Sequence, residues 1–393
     1  MAVGIKDKAS VIGMGCSKFG ERFDCSLEDL MVEAVTEALI DANIEFNKID
    51  AFWFGTYCSG LGGVAFSNRM KSQYKPVTRL ENACCTGTDA FRNACYAVIS
   101  GAYDVVMAIG AEKLKDSGYS GLAVPNVESD RTVPDLSAPA AFSFLGTSYA
   151  HKYGLSEKQL RETLARISFK NHSNGALNPK AMFQEEVPIE KILKTPFIAY
   201  PLTLMDCSGV SDGCSCAIIT RTEDAKKYRN DPMYVKAMQL NAGPAHSERT
   251  QSYDFTTVVE TCYAAEAAYS DAGITDPRNQ IHLAEVHDCF TATELIIYED
   301  LLFSERGQGW KDVMNGFFDR DGVLPVNIDG GLKSFGHPIG ASGLRMLYEM
   351  WLQFHEKAGL RQRQNPKLGL THNLGGTPYS CVTAITIVGK ELG

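Results

Sequence analysis

Short apolar segments alternate with amphipathic segments along the chain. Ala9–Met14 and Asp104–Gly110 have the length and composition of buried strands. Leu27–Ala42 instead repeats its apolar residues at three- and four-residue steps, which is typical of a helix packed on one face. Strands that alternate with helices predict an α/β fold, with a mixed or parallel sheet covered on both faces.

The pattern occurs twice, which predicts two pseudo-symmetric halves. In the first half it comprises Ala9–Met14, Leu27–Ala42, Ile49–Gly55, Thr88–Ser100 and Asp104–Gly110. In the second half it comprises Tyr234–Gln239, Thr256–Ala272, Ile281–Val286, Ala341–Glu356 and Lys367–Thr371. We assign 1–112, completed by a strand near 214–222, to one half and 232–393 to the other. Residues 113–231, with a clear helix at Glu157–Asn171, are interpreted as an inserted loop or cap region.

Composition and charge narrow the possible functions. The 393 residues carry a net charge of −9 without a dense Lys/Arg cluster, which argues against nucleic-acid binding. No apolar stretch approaches the roughly 20 residues that span a membrane, and the first ten residues lack a signal-peptide core, so a cytoplasmic protein is expected. Its 12 cysteines are then reduced thiols. Cys207, Cys214 and Cys216 lack further ligands at suitable spacing, so no metal site is expected.

Cys84 and His337 occupy equivalent places in the two halves, each at the start of a buried helix. Two-fold packing would bring them to one centre. The helix dipole would lower the pKa of the Cys84 thiol, and a cysteine beside a histidine is the minimum set for nucleophilic acyl transfer. Taken singly, Cys84 is more typical of an inert core thiol, and His337 fits a helix cap equally well.

Two further motifs follow predicted strands. His287-Asp288-Cys289-Phe290 lies at a strand's carboxyl end, where His287 could orient a water or a carbonyl oxygen and Cys289 could transfer a proton. Alone, they would more often be a hydrogen-bonded histidine and a core thiol. After the final predicted strand, Gly375-Gly376 predicts a turn whose N–H groups could form an oxyanion hole.

Together these motifs resemble those of the thiolase family, over essentially the whole chain, and more closely the branch of sterol-carrier-protein-type and archaeal acetoacetyl-CoA thiolases. The matching segments are Cys84–Gly87, His287–Phe290, Gly336–Pro338 and Gly375–Gly376. The resemblance implies the thiolase fold, a five-layer αβαβα sandwich of two βαβαβ halves. It also implies coenzyme A as co-substrate with no permanently bound cofactor, and a homodimer or dimer of dimers.

The resemblance also implies residue roles. Cys84 would accept the acyl group, His337 would activate it, and His287 would hold a water or oxygen in the enolate-binding hole. The N–H groups of Cys84 and Gly376 would form a second hole around the tetrahedral intermediates. Near the ligand tunnel the family positions match Asn171, His172, Asn178-Pro179 and Ser211-Asp212-Gly213.

One departure from the family pattern changes the expected acid. Degradative thiolases carry a second catalytic cysteine in a C-x-G motif, where this chain has Asn373-Leu374-Gly375. The branch suggests Cys289 as the proton donor instead.

Substrate and reaction class stay open. Acetoacetyl-CoA is the default, but the branch includes the benzoylsuccinyl-CoA thiolase of anaerobic toluene degradation, which works with a small zinc-ribbon/OB-fold subunit. Such a subunit is therefore a candidate partner. A β-ketoacyl synthase, a hydroxymethylglutaryl-CoA synthase and a scaffolding subunit are the alternatives. The aromatic residues of Phe52–Tyr57 and Phe142–Tyr149 could line a large pocket, although core packing is their more common fate.

Overall fold

The protein was analysed as a computed structural model that describes residues 4–60, 62–116, 136–244 and 253–393. Its strands are β1 Ala9–Cys16, β2 Ala51–Gly55, β3 Val77–Leu80, β4 Val105–Glu112, β5 Phe197–Ala199, β6 Leu202–Thr203, β7 Gly213–Arg221, β8 Met233–Ala242, β9 Leu283–Glu285, β10 Leu368–Thr377 and β11 Ser380–Gly389. Its helices are α1 Leu27–Ala42, α2 Val64–Met70, α3 Thr86–Ile99, α4 Ala138–Tyr153, α5 Glu157–Gly175, α6 Ile189–Leu193, α7 Thr222–Ala225, α8 Val259–Ala272, α9 Pro277–Gln280, α10 Thr291–Asp300, α11 Gly309–Met314, α12 Gly331–Phe335 and α13 Ser342–Phe354.

In the described part of the chain, nine strands form one sheet whose order confirms the internal duplication. The order is β3-β2-β4-β7-β1-β8-β11-β10-β9. Counted outward from the middle of the sheet, one half contributes the strands β1, β7, β4 and β2, and the other half contributes β8, β11, β10 and β9. In each half the first two pairings are antiparallel and the third is parallel. The halves meet where β1 and β8 pair antiparallel over only two residues. This short junction leaves each half-sheet free to face the other.

The helices complete a layered α/β arrangement that matches the expected fold class. Helix α1 packs on β1 and β7, and α8 packs on the equivalent β8 and β11. Helices α3 and α13 pack on each other and contact strands of both halves. They are therefore shared between the two half-sheets, while α1 and α8 cover the outer faces. Phe52 and Phe142 are buried in two apolar clusters, so these two aromatic residues are part of the core.

The outer helices end in the same way because their sequences end in the same way. Asn43 follows α1 with φ 52°, and Gly273 follows α8 with φ 76°. In each case the next residue, Ile44 or Ile274, donates its N–H back into the last helical turn. Asparagine and glycine are the residues that tolerate this left-handed conformation best.

Two sequence predictions near the C-terminus are wrong. The strand expected to end at Thr371 continues to Thr377, so Gly375 and Gly376 lie in β10 and not in a turn. β10 is also not the final strand, because β11 pairs with it along its whole length. Glycine favours turns, but cross-strand hydrogen bonds can hold it in a strand.

The region between the halves contributes both sheet and cover. β7 lies inside the large sheet between β4 and β1, where a completing strand was expected near 214–222. Helix α5 begins as predicted at Glu157 but continues to Gly175. Within the described residues, no helix is long and apolar enough to cross a membrane.

Glycines let the two halves approach at backbone distance beside α3 and α13. A Cβ on Gly110 of β4 would lie 2.1 Å from the carbonyl oxygen of Gly340 in the other half. A Cβ on Gly87 would lie 2.7 Å from the same oxygen, and one on Gly343 would lie 2.5 Å from the Thr88 nitrogen. Real side chains cannot occupy these spaces, so larger residues would push the halves apart.

We expect Gly110→Ala to lower the free energy of unfolding by about 1–3 kcal/mol, because the added methyl group meets backbone that cannot move aside. Urea denaturation measures the loss. Gly60→Ala is the control, since its Cβ would make an ordinary 3.5 Å contact, and it should change stability by less than about 0.5 kcal/mol. Equal stability of the two variants would contradict the close-packed interface.

Candidate active site

The packing of the two halves brings Cys84 and His337 into contact. The Cys84 Sγ lies 3.3 Å from the His337 Nε2. Cys84 is half-buried and lies two residues before α3, after Ala83, whose left-handed φ of 47° turns the chain. His337 is buried and is separated from the start of α13 by the turn at Pro338–Ala341, so it does not lie at the helix N-terminus itself.

A chain of hydrogen bonds fixes the His337 ring. Its Nδ1 lies 2.7 Å from the Ser342 Oγ, and the Ser342 hydroxyl donates to the Pro338 carbonyl oxygen at 3.0 Å. Because that hydroxyl proton is used, the Ser342 Oγ must accept a hydrogen bond that the His337 Nδ1–H donates. The Nε2 facing Cys84 is then unprotonated and able to accept the thiol proton. Ser342 was not singled out from the sequence, although it lies in the same glycine-rich segment.

Burial keeps both members of this pair neutral. It raises the pKa of Cys84 to about 12, with the charges of Glu112 and Glu81 adding to the effect. Burial and the cation of Arg345 lower the pKa of His337 to about 3. The expected lowering of the Cys84 pKa by the helix dipole is therefore overturned, because desolvation outweighs it. At neutral pH the Cys84 thiol is therefore protonated and the His337 imidazole is uncharged.

His287 faces the same centre from the C-terminal half. Its ring centroid lies 5.5 Å from that of His337, with the rings nearly perpendicular. The side chain is buried, and its Nδ1 has no hydrogen-bond partner among the residues that the structure describes. Burial of the side chain lowers the pKa of His287 well below its ordinary value, and the nearby His337 and His372 add a smaller effect in the same direction. A neutral imidazole of this kind can donate to an oxygen that develops negative charge.

The two residues after His287 have different environments. Cys289 is buried with its Sγ 3.8 Å from the Thr293 hydroxyl, and burial and the nearby Cys84 raise its thiol pKa. It therefore remains protonated. The Asp288 carboxylate instead accepts the backbone N–H groups of Leu332 and Lys333, which fixes the segment leading to His337.

The strand β10 closes the other side of Cys84. Gly375 packs directly against the turn at Ala83-Cys84, since a Cβ on Gly375 would be 3.0 Å from the Cys84 nitrogen. Gly376 is the next residue, with φ 105°. Asn373, which occupies the place of the family's second cysteine, accepts a hydrogen bond from Thr88 at 2.7 Å. An amide at this position cannot serve as the acid.

The expected ligand-tunnel residues lie in three different environments. Asn171 is fully buried, and its amide donates to Asp288 and Glu294 at 2.8 and 2.7 Å. His172 lines a cavity of about 720 Å³, and within the described ranges neither ring nitrogen has a hydrogen-bond partner. Ser211 is buried beside Gly336, where a Cβ would lie 2.5 Å from its Oγ. Asn171 therefore contacts the buried Asp288 carboxylate and is not exposed to solvent.

Glu112 is a site residue that the sequence analysis missed. Its carboxylate accepts the N–H of Gly340 at 3.0 Å from one half and the N–H groups of Tyr57 and Cys58 from the other. It therefore joins the segment of His337 to the strand end beside Cys84. Its only sequence signal was a carboxylate at the end of an apolar strand, a position that solvent-exposed acids also occupy.

Comparisons with known proteins agree with this geometry. Residues 8–199 match the thiolase N-terminal domain, and residues 242–387 match the thiolase C-terminal domain-like family. The acetyl-CoA acetyltransferase of Methanothermobacter thermautotrophicus is 35% identical over 94% of this chain and 96% of its own. The benzoylsuccinyl-CoA thiolase subunit BbsB of Thauera aromatica is 29% identical over 95% and 96%.

A solved structure, the Ltp2-ChsH2(DUF35) aldolase, shares the fold with a TM-score of 0.84 and 22% identity, over 99% of both chains. The family matches cover both halves of the chain, and the cysteine and histidine that the family pattern requires are in contact. The chain belongs to the thiolase family and is an acyltransferase.

Proposed function

We propose that the protein cleaves 3-oxoacyl-CoA with coenzyme A, or catalyses the reverse Claisen condensation, through an acyl thioester on Cys84. The observation that carries the proposal is the 3.3 Å contact between the Cys84 Sγ and the unprotonated Nε2 of His337. A nucleophile needs a base within hydrogen-bond reach, and this pair meets that requirement.

In the first half-reaction His337 takes the Cys84 proton as the sulfur attacks the 3-oxo carbon. The bond to the α-carbon then breaks and leaves an enolate of acyl-CoA. His287 lies where it can orient a water or donate to the enolate oxygen, and one such donor is typically worth about 3 kcal/mol in the transition state. The N–H groups of Cys84 and Gly376 are the donors we assign to the tetrahedral intermediate.

The second half-reaction restores the enzyme. Cys289 gives its proton to the enolate carbon, which releases the CoA ester that carried the α-carbon, while the shortened acyl group stays on Cys84. The Cys289 thiolate then takes the thiol proton of the incoming coenzyme A, whose sulfur attacks the acyl group. The departing Cys84 sulfur recovers its proton from His337. Every proton is thus returned to its original residue, and no permanently bound cofactor is required.

We propose acetoacetyl-CoA or a similar short 3-oxoacyl-CoA as the substrate, since a relative with 35% identity is an acetyl-CoA acetyltransferase. A second candidate is an aromatic acylsuccinyl-CoA such as benzoylsuccinyl-CoA, which the similarity to BbsB favours. A small zinc-ribbon/OB-fold subunit would accompany that reaction. This partner is supported by the structural likeness to the Ltp2-ChsH2(DUF35) aldolase, whose name joins Ltp2 to ChsH2.

Cys84→Ala should lower kcat for thiolysis of acetoacetyl-CoA by at least about 10³-fold, because the covalent route disappears. Without added coenzyme A, the wild type should carry an acetyl group on the peptide containing Cys84, as read by mass spectrometry. Retention of thiolysis by the variant would favour the scaffolding alternative. Carbon dioxide release from malonyl-CoA in place of thiolysis would favour a decarboxylating condensing enzyme.

The pH dependence of Cys84 alkylation follows from its raised pKa of about 12. Below that pKa the reactive thiolate fraction grows about tenfold per pH unit. We therefore expect the rate of iodoacetamide modification of the Cys84 peptide to rise from pH 6 to pH 9 without a plateau. A preformed thiolate–imidazolium pair would instead give a constant rate over this range, and such a plateau would contradict the neutral pair.

A panel of CoA thioesters separates the two substrate candidates. The protein alone should cleave acetoacetyl-CoA with a kcat/KM at least about tenfold above that for benzoylsuccinyl-CoA, a difference of about 1.4 kcal/mol in transition-state binding. The products are quantified by chromatography. The same panel is repeated with any small protein encoded beside the gene. Preference for benzoylsuccinyl-CoA only in its presence would establish the second candidate in place of the first.

A further inference from the structure

Three side chains from distant parts of the sequence converge at the active site with the donor atoms of a metal site. One ligand atom from each of Cys84, His287 and His337 lies within 4.8 Å of the others. In the described ranges, no other set of three histidine, cysteine or carboxylate side chains comes together in this way.

The distances fit a tetrahedral ion. Zinc binds sulfur at about 2.3 Å and imidazole nitrogen at about 2.0–2.1 Å, which places neighbouring ligand atoms about 3.5 Å apart. Cys84 Sγ and His337 Nε2 are already 3.3 Å apart. His287 needs to approach by at most about 1.3 Å to reach the same spacing. No hydrogen bond of its Nδ1 opposes this shift, since this atom has no partner within the described part of the chain.

The surroundings favour a site with three protein ligands. Ser342 holds the Nδ1 of His337 at 2.7 Å, which is how a second residue usually orients a metal-binding histidine. Cys84 is half-buried, whereas both histidines are buried. A fourth position on the open side of Cys84 is therefore available to water. Sulfur and imidazole select zinc-like ions over magnesium or calcium.

We propose that Zn²⁺ or a similar thiophilic divalent cation binds Cys84, His287 and His337 and blocks the nucleophile. On binding, the Cys84 thiol releases its proton to solvent and the sulfur lone pair is donated to the ion. The sulfur cannot hold a metal and an acyl group together, so metal and acyl-CoA compete. The ion is an inhibitor and not a resident cofactor. This inference goes beyond thiolysis and does not depend on it.

Co²⁺ titration of the reduced, chelator-treated protein tests the site directly. The wild type should bind one equivalent, with a sulfur-to-cobalt charge-transfer band and the intense visible bands of tetrahedral cobalt. Cys84→Ala should abolish both signals. His287→Asn should weaken binding by at least about tenfold, because it removes one ligand. Cys58→Ala is the matched control, since Cys58 is an exposed cysteine outside the cluster and the variant should bind as the wild type does.

The His287→Asn variant also separates this proposal from the proposed function. Cobalt binding is measured without acyl-CoA, so its result does not depend on whether the variant still catalyses thiolysis. Cobalt binding by Cys84→Ala with wild-type affinity would overturn the proposal, as would unchanged binding by a folded His287→Asn protein. Zinc should also slow alkylation of the Cys84 peptide more than tenfold, and a chelator should restore it. Equal alkylation with and without zinc would equally overturn it.

Discussion

The active site depends on the approach of two backbones at the centre of the molecule. The Gly340 carbonyl lies where side chains on Gly87 or Gly110 would be, and Glu112 binds the Gly340 N–H from the opposite half. These contacts fix the turn after His337 relative to the strand and helix beside Cys84. A separation of about 3 Å between sulfur and imidazole therefore follows from glycine packing, and not only from the catalytic residues themselves.

The same packing determines the chemistry of the pair. Because the halves close over it, His337 is buried and Cys84 is only half-exposed, and desolvation favours the neutral form of both. A neutral thiol is a weaker nucleophile than a thiolate, so a base within reach makes it more reactive. The buried His287 ring adds a third neutral donor atom to the centre. A site assembled for acyl transfer thus also has the composition of a zinc site.

Much of the fold was predictable because the same order of strands and helices occurs in both halves of the sequence. Helix α1 was predicted with its observed bounds, and every strand assigned in the duplication exists within a few residues except β10, which continues from the predicted end at Thr371 to Thr377. β11 was missed, because its pairing with β10 and β8 depends on distant strands. The same long-range pairing kept Gly375-Gly376 extended where local preference predicted a turn. The contributions of Glu112 and Ser342 were missed, because each depends on a hydrogen-bond partner that only the folded chain brings close.

The sequence by itself determined the internal repeat, the motifs around Cys84, His287 and His337, and the family they resemble. Hydrophobic period and residue type are local properties, so they can be read without coordinates. Only the tertiary structure decided the contact between the cysteine and the histidine, their neutral charge state, and which side chains support them. Distances and desolvation arise from segments far apart in the chain, and no local pattern records how those segments meet.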